Sequence, residues 1–268
     1  MARDYGVKLG SALFTMVEPR KGHEVEYNRW YERDHFYAGC MIGPWLFAGR
    51  RFVATRPLKD LRYPADSAIT TPNDLGSYIA VYWILADEFD AHNEWAVQQV
   101  NWLHANGRMF VDRDHISTAL YEFLGAVARD ADGVPPELAL DHSQYQGLVV
   151  VWTDADDHDP GSTQAELQRW LQEELFPGLV ADSPIAQVLT WKAIPLSPDR
   201  PADVPQTPGL GTRLLHAFFL DVDPREVWDA KFKGLGDAVA ASGKGQVVLA
   251  APFIPTIVGT DTYTDQLW

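Results

Sequence analysis

The chain has 268 residues, of which 46% are hydrophobic and 12% aromatic, so it can build the core of one large domain or two ordinary ones. Its formal net charge of −15 argues against nucleic acid or an anionic membrane as a partner, because neither would be attracted electrostatically. Cys40 is the only cysteine, which excludes an intrachain disulfide and fits a reducing compartment.

The first half of the chain predicts the order strand, helix, strand, strand, helix, strand. The N-terminus lacks the apolar core of a signal peptide, and no run approaches the ~20 apolar residues of a membrane span, so we expect a cytoplasmic protein. The spacing of the second helix predicts an inward stripe of Trp95, Gln99, Trp102 and Asn106. Hydrophobic periodicity places the strands at 8–17, 45–55, 77–86 and 117–127, and the helices at 24–40 and 89–106.

The second half predicts the same order of elements. We expect a boundary within residues 130–143, which gives a first repeat at 1–135 and a second at 144–268. The Pro-rich stretch 195–208 is then an insertion inside the second repeat. The acidic run at 154–159 precedes a helix and lacks the spacing of a calcium loop, so no metal site is predicted. The strands are predicted at 147–153, 185–194, 212–221 and 246–258, and the helices at 162–180 and 224–242.

An internal repeat supports this division. Residues 26–53 recur in degraded form at an offset of 140, with identities at Glu26/Glu166, Arg29/Arg169, Trp30/Trp170, Phe36/Phe176 and Pro44/Pro184. The ionisable residues are not repeated, because Tyr31, His35, Arg50 and Arg51 correspond to Leu171, Leu175, Thr190 and Trp191. This pattern predicts two structural halves and one working site, which lies in the first half.

The segment Tyr-Asn-Arg-Trp-Tyr-Glu-Arg-Asp-His at 27–35, followed by a Pro-containing turn and an Arg-bearing strand, resembles the recurrent helix of the dimeric α/β barrel superfamily. The presence of both units in one chain is similar to fused, EthD-like or stress-responsive members. The resemblance implies an α+β fold in which two tandem ferredoxin-like βαββαβ repeats pack sheet to sheet as an intrachain dimeric α/β barrel. It also implies a site between the first-half sheet and its helices.

The first helix carries the main candidates for catalysis. Helical spacing puts Tyr27, Tyr31 and His35 on one face, with Trp30 and Asp34 beside it. An imidazole next to a carboxylate can titrate near neutrality, so we expect His35 to be the general acid or base. Tyr31 and Asp34 would orient the proton or stabilise an oxyanion, and Tyr27 and Trp30 would contact substrate. The alternative is a structural histidine that is hydrogen-bonded to a tyrosine.

Arg50 and Arg51 are adjacent on a predicted strand, so their side chains leave opposite faces and one of them must face inward. That guanidinium is predicted to hold a substrate carboxylate, enolate or phenolate. The alternative is that both arginines reach solvent or pair with the acidic surplus of the protein.

Four residues on or next to the third and fourth strands are predicted to contact substrate. Glu122 interrupts an apolar strand, although a solvent-facing position would also explain it. His115 belongs to the triplet Arg-Asp-His, which repeats residues 33–35 and is predicted to lie in a turn before the strand. The other two are Tyr82 and Trp83.

The resemblance implies a cofactor-independent acid/base enzyme of lyase, isomerase or cyclase type, which acts on a hydrophobic, aromatic or polyketide-like small molecule. One alternative is a monooxygenase, either cofactor-free or haem-dependent with His35, His104 or His216 as the haem ligand. Another is a non-catalytic barrel that only binds small molecules. The chain is expected to be a monomer or a homodimer.

Overall fold

The computed structural model describes residues 6–156, 158–200, 202, 204–206 and 209–268. Within these residues, the strands and the main helices follow the predicted order in both halves, and every strand pairing is antiparallel. The strands are β1 (Leu9–Pro19), β2 (Leu46–Val53), β3 (Tyr78–Leu85), β4 (Arg113–Ala128), β5 (Gly147–Ala155), β6 (Ile185–Ile194), β7 (Arg213–Leu220) and β8 (Gly245–Pro255).

The helices are less regular than the sequence predicts. The first predicted helix begins as α1 (Glu24–Trp30) and continues as a π-helix at Tyr31–Met41. The predicted helix at 162–180 is interrupted by a shorter π-helical stretch, Leu171–Leu175. Among the described residues, no helix is long and apolar enough to cross a membrane. The remaining helices are α2 (Arg56–Lys59), α3 (Phe89–Ala105), α4 (Pro160–Trp170), α5 (Phe176–Val180), α6 (Pro224–Lys231) and α7 (Leu235–Ala241), with a 3₁₀ turn at Pro136–Leu138.

The strands close into one barrel in the order β1-β3-β2-β8-β5-β7-β6-β4. Each half contributes four neighbouring strands in the same relative order, β4-β1-β3-β2 and β8-β5-β7-β6, so the two halves are matching ferredoxin-like units. The junction between β4 and β6 is long, whereas β2 and β8 pair through only two residues of each strand. The predicted fold class, two tandem ferredoxin-like repeats in an intrachain α/β barrel, is confirmed.

Alternation along β1 separates the barrel interior from the helix layer. Phe14 points inward, where its ring lies 5.4 to 6.0 Å from the rings of Trp83, Tyr121 and Trp191 on three other strands. Because successive side chains of a strand leave opposite faces, Leu13 and Thr15 point outward to the helices. The barrel interior is therefore filled by aromatic side chains, and space for a ligand lies outside the sheet.

A β-bulge in β4 places polar residues on that outer face. In the register with β1, Thr15 pairs with Thr118 but Val17 pairs with His115, so β4 contains one extra residue between these pairs. Without the bulge, His115 and Thr118 would face opposite sides of the sheet, because they are three residues apart. The extra residue brings both side chains to the helix-facing side.

Candidate active site

A cavity of about 130 Å³ lies between the outer face of the first-half sheet and its helices. Its walls come from β1, β4, the π-helix at Tyr31–Met41 and α3, and residues of the insertion in the second repeat cover one side. Most of the lining is apolar. The polar or ionisable side chains that the cavity exposes include those of Tyr31, His35, Arg113, His115, Thr15 and Thr118.

His35 is held tightly at the edge of this cavity. Its ring stacks on Trp30 with 4.5 Å between ring centroids, and it lies against the backbone of Gly39, where a Cβ atom would be 2.8 Å from His35 Cε1. Its Nδ1 atom is buried and has no hydrogen-bond partner among the described residues. The ring is therefore fixed by packing alone, without a hydrogen bond to Nδ1.

The expectation that Asp34 raises the pKa of His35 is wrong. The Asp34 carboxylate forms an ion pair with Arg108, away from the imidazole. Burial, together with the positive charge of Arg113, lowers the pKa of His35 to about 3. His35 is consequently neutral at pH 7, and its surroundings favour an anion near the ring.

Tyr31 lines the cavity next to His35. Its hydroxyl lies 2.9 Å from that of Tyr82, and burial raises the pKa of both phenols well above 10. Cys40, which also lines the cavity, is hydrogen-bonded to Tyr82, and burial raises its pKa to about 12. These three groups are neutral at pH 7, so they offer hydrogen bonds and no charge.

Neither of the two predicted arginines lines the cavity. Arg51 is buried on the outer face, where it donates to Asn28 Oδ1 at 3.0 Å and lies 3.3 Å from Glu32. Its guanidinium also stacks over Tyr31, with 4.4 Å to the ring centroid. Arg50 points the other way and donates to two backbone carbonyls of the linker between the repeats. Arg51 therefore supports the helix, and Arg50 holds the linker.

Two other arginines line the cavity, Arg113 and Arg200. The Arg200 guanidinium donates to the Val204 and Ser197 carbonyls of the insertion, whereas Arg113 lies beside the histidines. The Arg113 guanidinium donates to the Phe110 carbonyl and to His115 Nε2, and it lies over the Trp30 ring at 5.2 Å. Sequence reasoning did not select Arg113, and it placed the triplet Arg113–His115 in a turn. The triplet is the start of β4, so residues 113 and 115 share one face of a strand. The Arg-Asp-His triplet at 113–115, which repeats residues 33–35, was the sequence signal that could have identified Arg113.

The other predicted site residues lie elsewhere. Trp83 is inside the barrel, on the opposite face from Tyr82, because the two residues are adjacent on β3. Glu122 is exposed to solvent, which agrees with the alternative interpretation of this residue. Tyr27 is buried beside Tyr31 and does not line the cavity. Trp30 contributes through its stacking with the histidine described above.

The predicted inward stripe of α3 is half right: Trp95 packs against Gly43 and Gln99 donates to the Ala38 carbonyl, but Trp102 and Asn106 are exposed. Trp102 is 50% exposed, and the side of α3 that meets the cavity carries His92, Ala96 and Val100. His104 is exposed and lies at the mouth of the cavity.

The corresponding space in the second repeat is filled. Leu171, which matches Tyr31, and Phe176 are fully buried there. His216 is buried among them, but its two ring nitrogens lie 3.0 and 3.2 Å from the hydroxyls of Thr153 and Thr190. This histidine is therefore a satisfied core residue, and burial lowers its pKa to about 3.

The cavity adjoins a surface groove of about 600 Å³. His104, Met109, Arg113 and His115 line both spaces. A flat molecule of several rings could therefore place one ring in the cavity and the remainder in the groove.

No protein-family model matches the sequence, and no curated protein matches it. Among solved structures, an anthrone oxidase-like protein is 10% identical, with 95% of each chain covered and a TM-score of 0.56. This chain has the dimeric α/β barrel fold. A candidate monooxygenase of Fusobacterium nucleatum is 10% identical over 95% of this chain and 94% of that one, with a TM-score of 0.48. A dye-decolorizing peroxidase of Bacteroides thetaiotaomicron is 10% identical over 99% of this chain and 98% of that one, with a TM-score of 0.48.

The residues of the cavity do not fit a haem. A volume of about 130 Å³ is close to that of cavities that hold a benzene ring and is below the ~300–1,000 Å³ typical of sites for drug-sized ligands. His35 is wedged between Trp30 and Gly39, and His216 uses both ring nitrogens in hydrogen bonds.

Proposed function

We propose that this protein is a cofactor-independent enzyme that removes a proton from an aromatic or polyketide-like small molecule and promotes its oxidation by O₂. The observation that carries the proposal is that a neutral imidazole, His35, and a guanidinium, Arg113, face the same small apolar cavity. This pair can accept a proton and stabilise the anion that remains.

The low pKa of His35 is compatible with this role. The ring has a low proton affinity because it is buried and near positive charge. An enolate or phenolate that forms beside the ring would offset this charge and raise the pKa of the imidazole at the moment of proton transfer. In this proposal His35 takes the proton, Arg113 stabilises the anion, and Tyr31 orients the substrate.

The likeness to an anthrone oxidase-like protein favours oxidation over the lyase, isomerase or cyclase reaction that the sequence resemblance implied. An anthrone-type substrate has an acidic methylene group conjugated with a ring ketone. Its anion can react with O₂ without a cofactor. One oxygen atom becomes the new carbonyl, and the other leaves as water with the two methylene hydrogens.

The test is turnover of anthrone-type ketones by the purified protein, with O₂ consumption followed by an electrode. We expect O₂ uptake equal to product formed, an absorption spectrum without a Soret band, and loss of turnover in His35→Leu. Product formation without O₂ uptake would support the lyase or isomerase alternative. Saturable binding without turnover would support a binding barrel.

A further inference from the structure

Two threonine hydroxyls meet on the wall of the cavity. Thr15 on β1 and Thr118 on β4 are cross-strand partners, and their Oγ1 atoms are 2.8 Å apart. Both residues line the cavity, and Thr15 is only 8% exposed. They are the last members of a hydrogen-bonded row that begins at Arg113 and passes through His115.

The direction of this row follows from its chemistry. A guanidinium has only donors, so Arg113 Nη2 donates to His115 Nε2, at 3.2 Å. A neutral imidazole that accepts at Nε2 carries its proton on Nδ1, and this Nδ1–H donates to Thr118 Oγ1 at 2.8 Å. Protonation of His115 would leave Nδ1 a donor. Thr118 therefore accepts from His115 in either state.

A count of hydrogens then leaves one donor unused. The Thr15 and Thr118 hydroxyls have two hydrogens, and the bond between them uses one. The structure gives neither hydroxyl another acceptor among the described residues. Because both side chains line the cavity, the remaining hydrogen can bond to a group inside it.

The row is also oriented electrostatically. The two bonds that lead to the threonine pair, from Arg113 to His115 and from His115 to Thr118, point their hydrogens away from the Arg113 charge, so the aligned dipoles present their positive end to the threonine pair and the cavity. Hydrogen bonds in a row strengthen one another where water is excluded. Such an end suits an oxygen atom that gains negative charge during a reaction.

We infer that the Thr15–Thr118 hydroxyl pair is the donor that holds the oxygen atom of a ring ketone or phenol in this cavity. This inference rests on the proposed function and adds the substrate class, a ring compound whose oxygen becomes that of an enolate or phenolate. Thr15 and Thr118 are thereby substrate-binding residues, and Arg113 and His115 polarise them.

The test compares 1-tetralone with tetralin, which has the same ring frame but lacks the ketone oxygen. Calorimetric titration measures the Kd of both for the wild type, the double variant Thr15→Val/Thr118→Val, and Thr15→Ser/Thr118→Ser. We expect the ratio of tetralin Kd to tetralone Kd to fall about tenfold in the valine variant, as one lost hydrogen bond predicts, and to persist in the serine variant. The infrared C=O stretch of bound tetralone should move to higher frequency in the valine variant only.

A matched control is Thr153→Val/Thr190→Val, which removes the hydroxyls around His216 in the second repeat. It should leave the ratio and the C=O frequency unchanged. An equal ratio and an equal frequency in the wild type and the cavity valine variant would overturn the inference while leaving the proposed apolar site intact. Failure of both ligands to bind the wild type would instead overturn the proposed function, and the inference with it.

Discussion

Replacement of His35 by leucine, the residue that the second repeat has at the matching position 175, should abolish turnover without destabilising the fold at pH 7. The substitution removes a buried Nδ1 atom that has no partner, which should stabilise the folded state by about 1–3 kcal/mol. It also removes the stacking on Trp30, which should destabilise the folded state by about 0.5–1.5 kcal/mol. We therefore expect an unfolding free energy equal to that of the wild type or slightly higher.

The pH dependence of the unfolding free energy gives a second quantity that can be measured. In the unfolded chain His35 titrates at its ordinary pKa of 6.5, and in the folded protein at about 3. Between these values the unfolded state binds one more proton, so stability falls as pH falls. At pH 5 the difference from 6.5 is about 1.5 pH units, which corresponds to about 2 kcal/mol at 1.36 kcal/mol per unit. His35→Leu removes this loss.

His216→Leu is the matched control, because burial lowers the pKa of both histidines to about 3. It should remove the same ~2 kcal/mol of pH dependence. At pH 7, however, it leaves the buried hydroxyls of Thr153 and Thr190 without their partner, at a cost of about 1–3 kcal/mol each. The two variants should thus differ in stability at pH 7 while having similarly flattened pH profiles.

The assay is reversible urea unfolding, followed by tryptophan fluorescence, of the wild type and both variants between pH 5 and pH 8. The reasoning is refuted if His35→Leu loses as much stability at pH 7 as His216→Leu. It is also refuted if the wild type and His35→Leu lose equal stability between pH 7 and pH 5, because His35 would then not be a buried neutral ring.

Three further outcomes are expected. Gly39→Ala would put a Cβ 2.8 Å from His35 Cε1, so kcat should fall at least ~10-fold and the unfolding free energy by about 1–3 kcal/mol, whereas Gly178→Ala, in open space, should change neither. Arg51→Ala leaves a buried carboxylate without its cation and should cost about 3–5 kcal/mol in urea unfolding; a loss below 1 kcal/mol would contradict the ion pair. Burial raises the pKa of Cys40 to about 12, so the reactive thiolate is rare in the folded protein at pH 8. An aromatic disulfide reagent should therefore modify the native thiol about 10³-fold more slowly than the thiol of the unfolded chain. Equal rates would disprove the burial of Cys40.

The order of the strands and helices was predictable because each element repeats its own hydrophobic period. β3 is almost wholly buried on both faces, and its uninterrupted apolar sequence was correctly interpreted as a strand. The division of the chain within 130–143 stays a prediction. The narrower resemblance to EthD-like or stress-responsive members also stays a prediction.

The π-helix was not predictable, and it changed which residues line the cavity. Helical spacing of 3.6 residues put Tyr27, Tyr31 and His35 on one face, whereas the wider π turn brings Gly39 and Cys40 to the cavity beside Tyr31 and His35, and Tyr27 does not line it. The backbone adopts this turn in a tertiary environment that hydrophobic periodicity does not represent. A sequence pattern based on a regular α-helix therefore fails first at the site itself.

The identity of the site cation was missed for a similar reason. Arg50 and Arg51 were the candidates in the sequence because both follow the helix motif and are absent from the second repeat, but Arg51, which faces the helices, is paired away from the cavity. Its partners, Asn28 and Glu32, come from the same helix region and neutralise it locally. Arg113 reaches the cavity because β4 starts earlier than its apolar residues indicate. Which arginine is paired with a carboxylate and which one faces the cavity depends on how the helix and strands pack, and the sequence pattern does not show that packing.

The two repeats together provide an internal comparison of what the framework requires. The second repeat packs the corresponding helix against its sheet with Leu171 and Leu175 in place of Tyr31 and His35. The fold therefore closes at this place without a phenol or an imidazole. In the first repeat the same place retains a cavity and a buried nitrogen without a partner, both of which lower stability. Features that the fold does not need, and that cost it stability, are best explained by ligand binding and proton transfer.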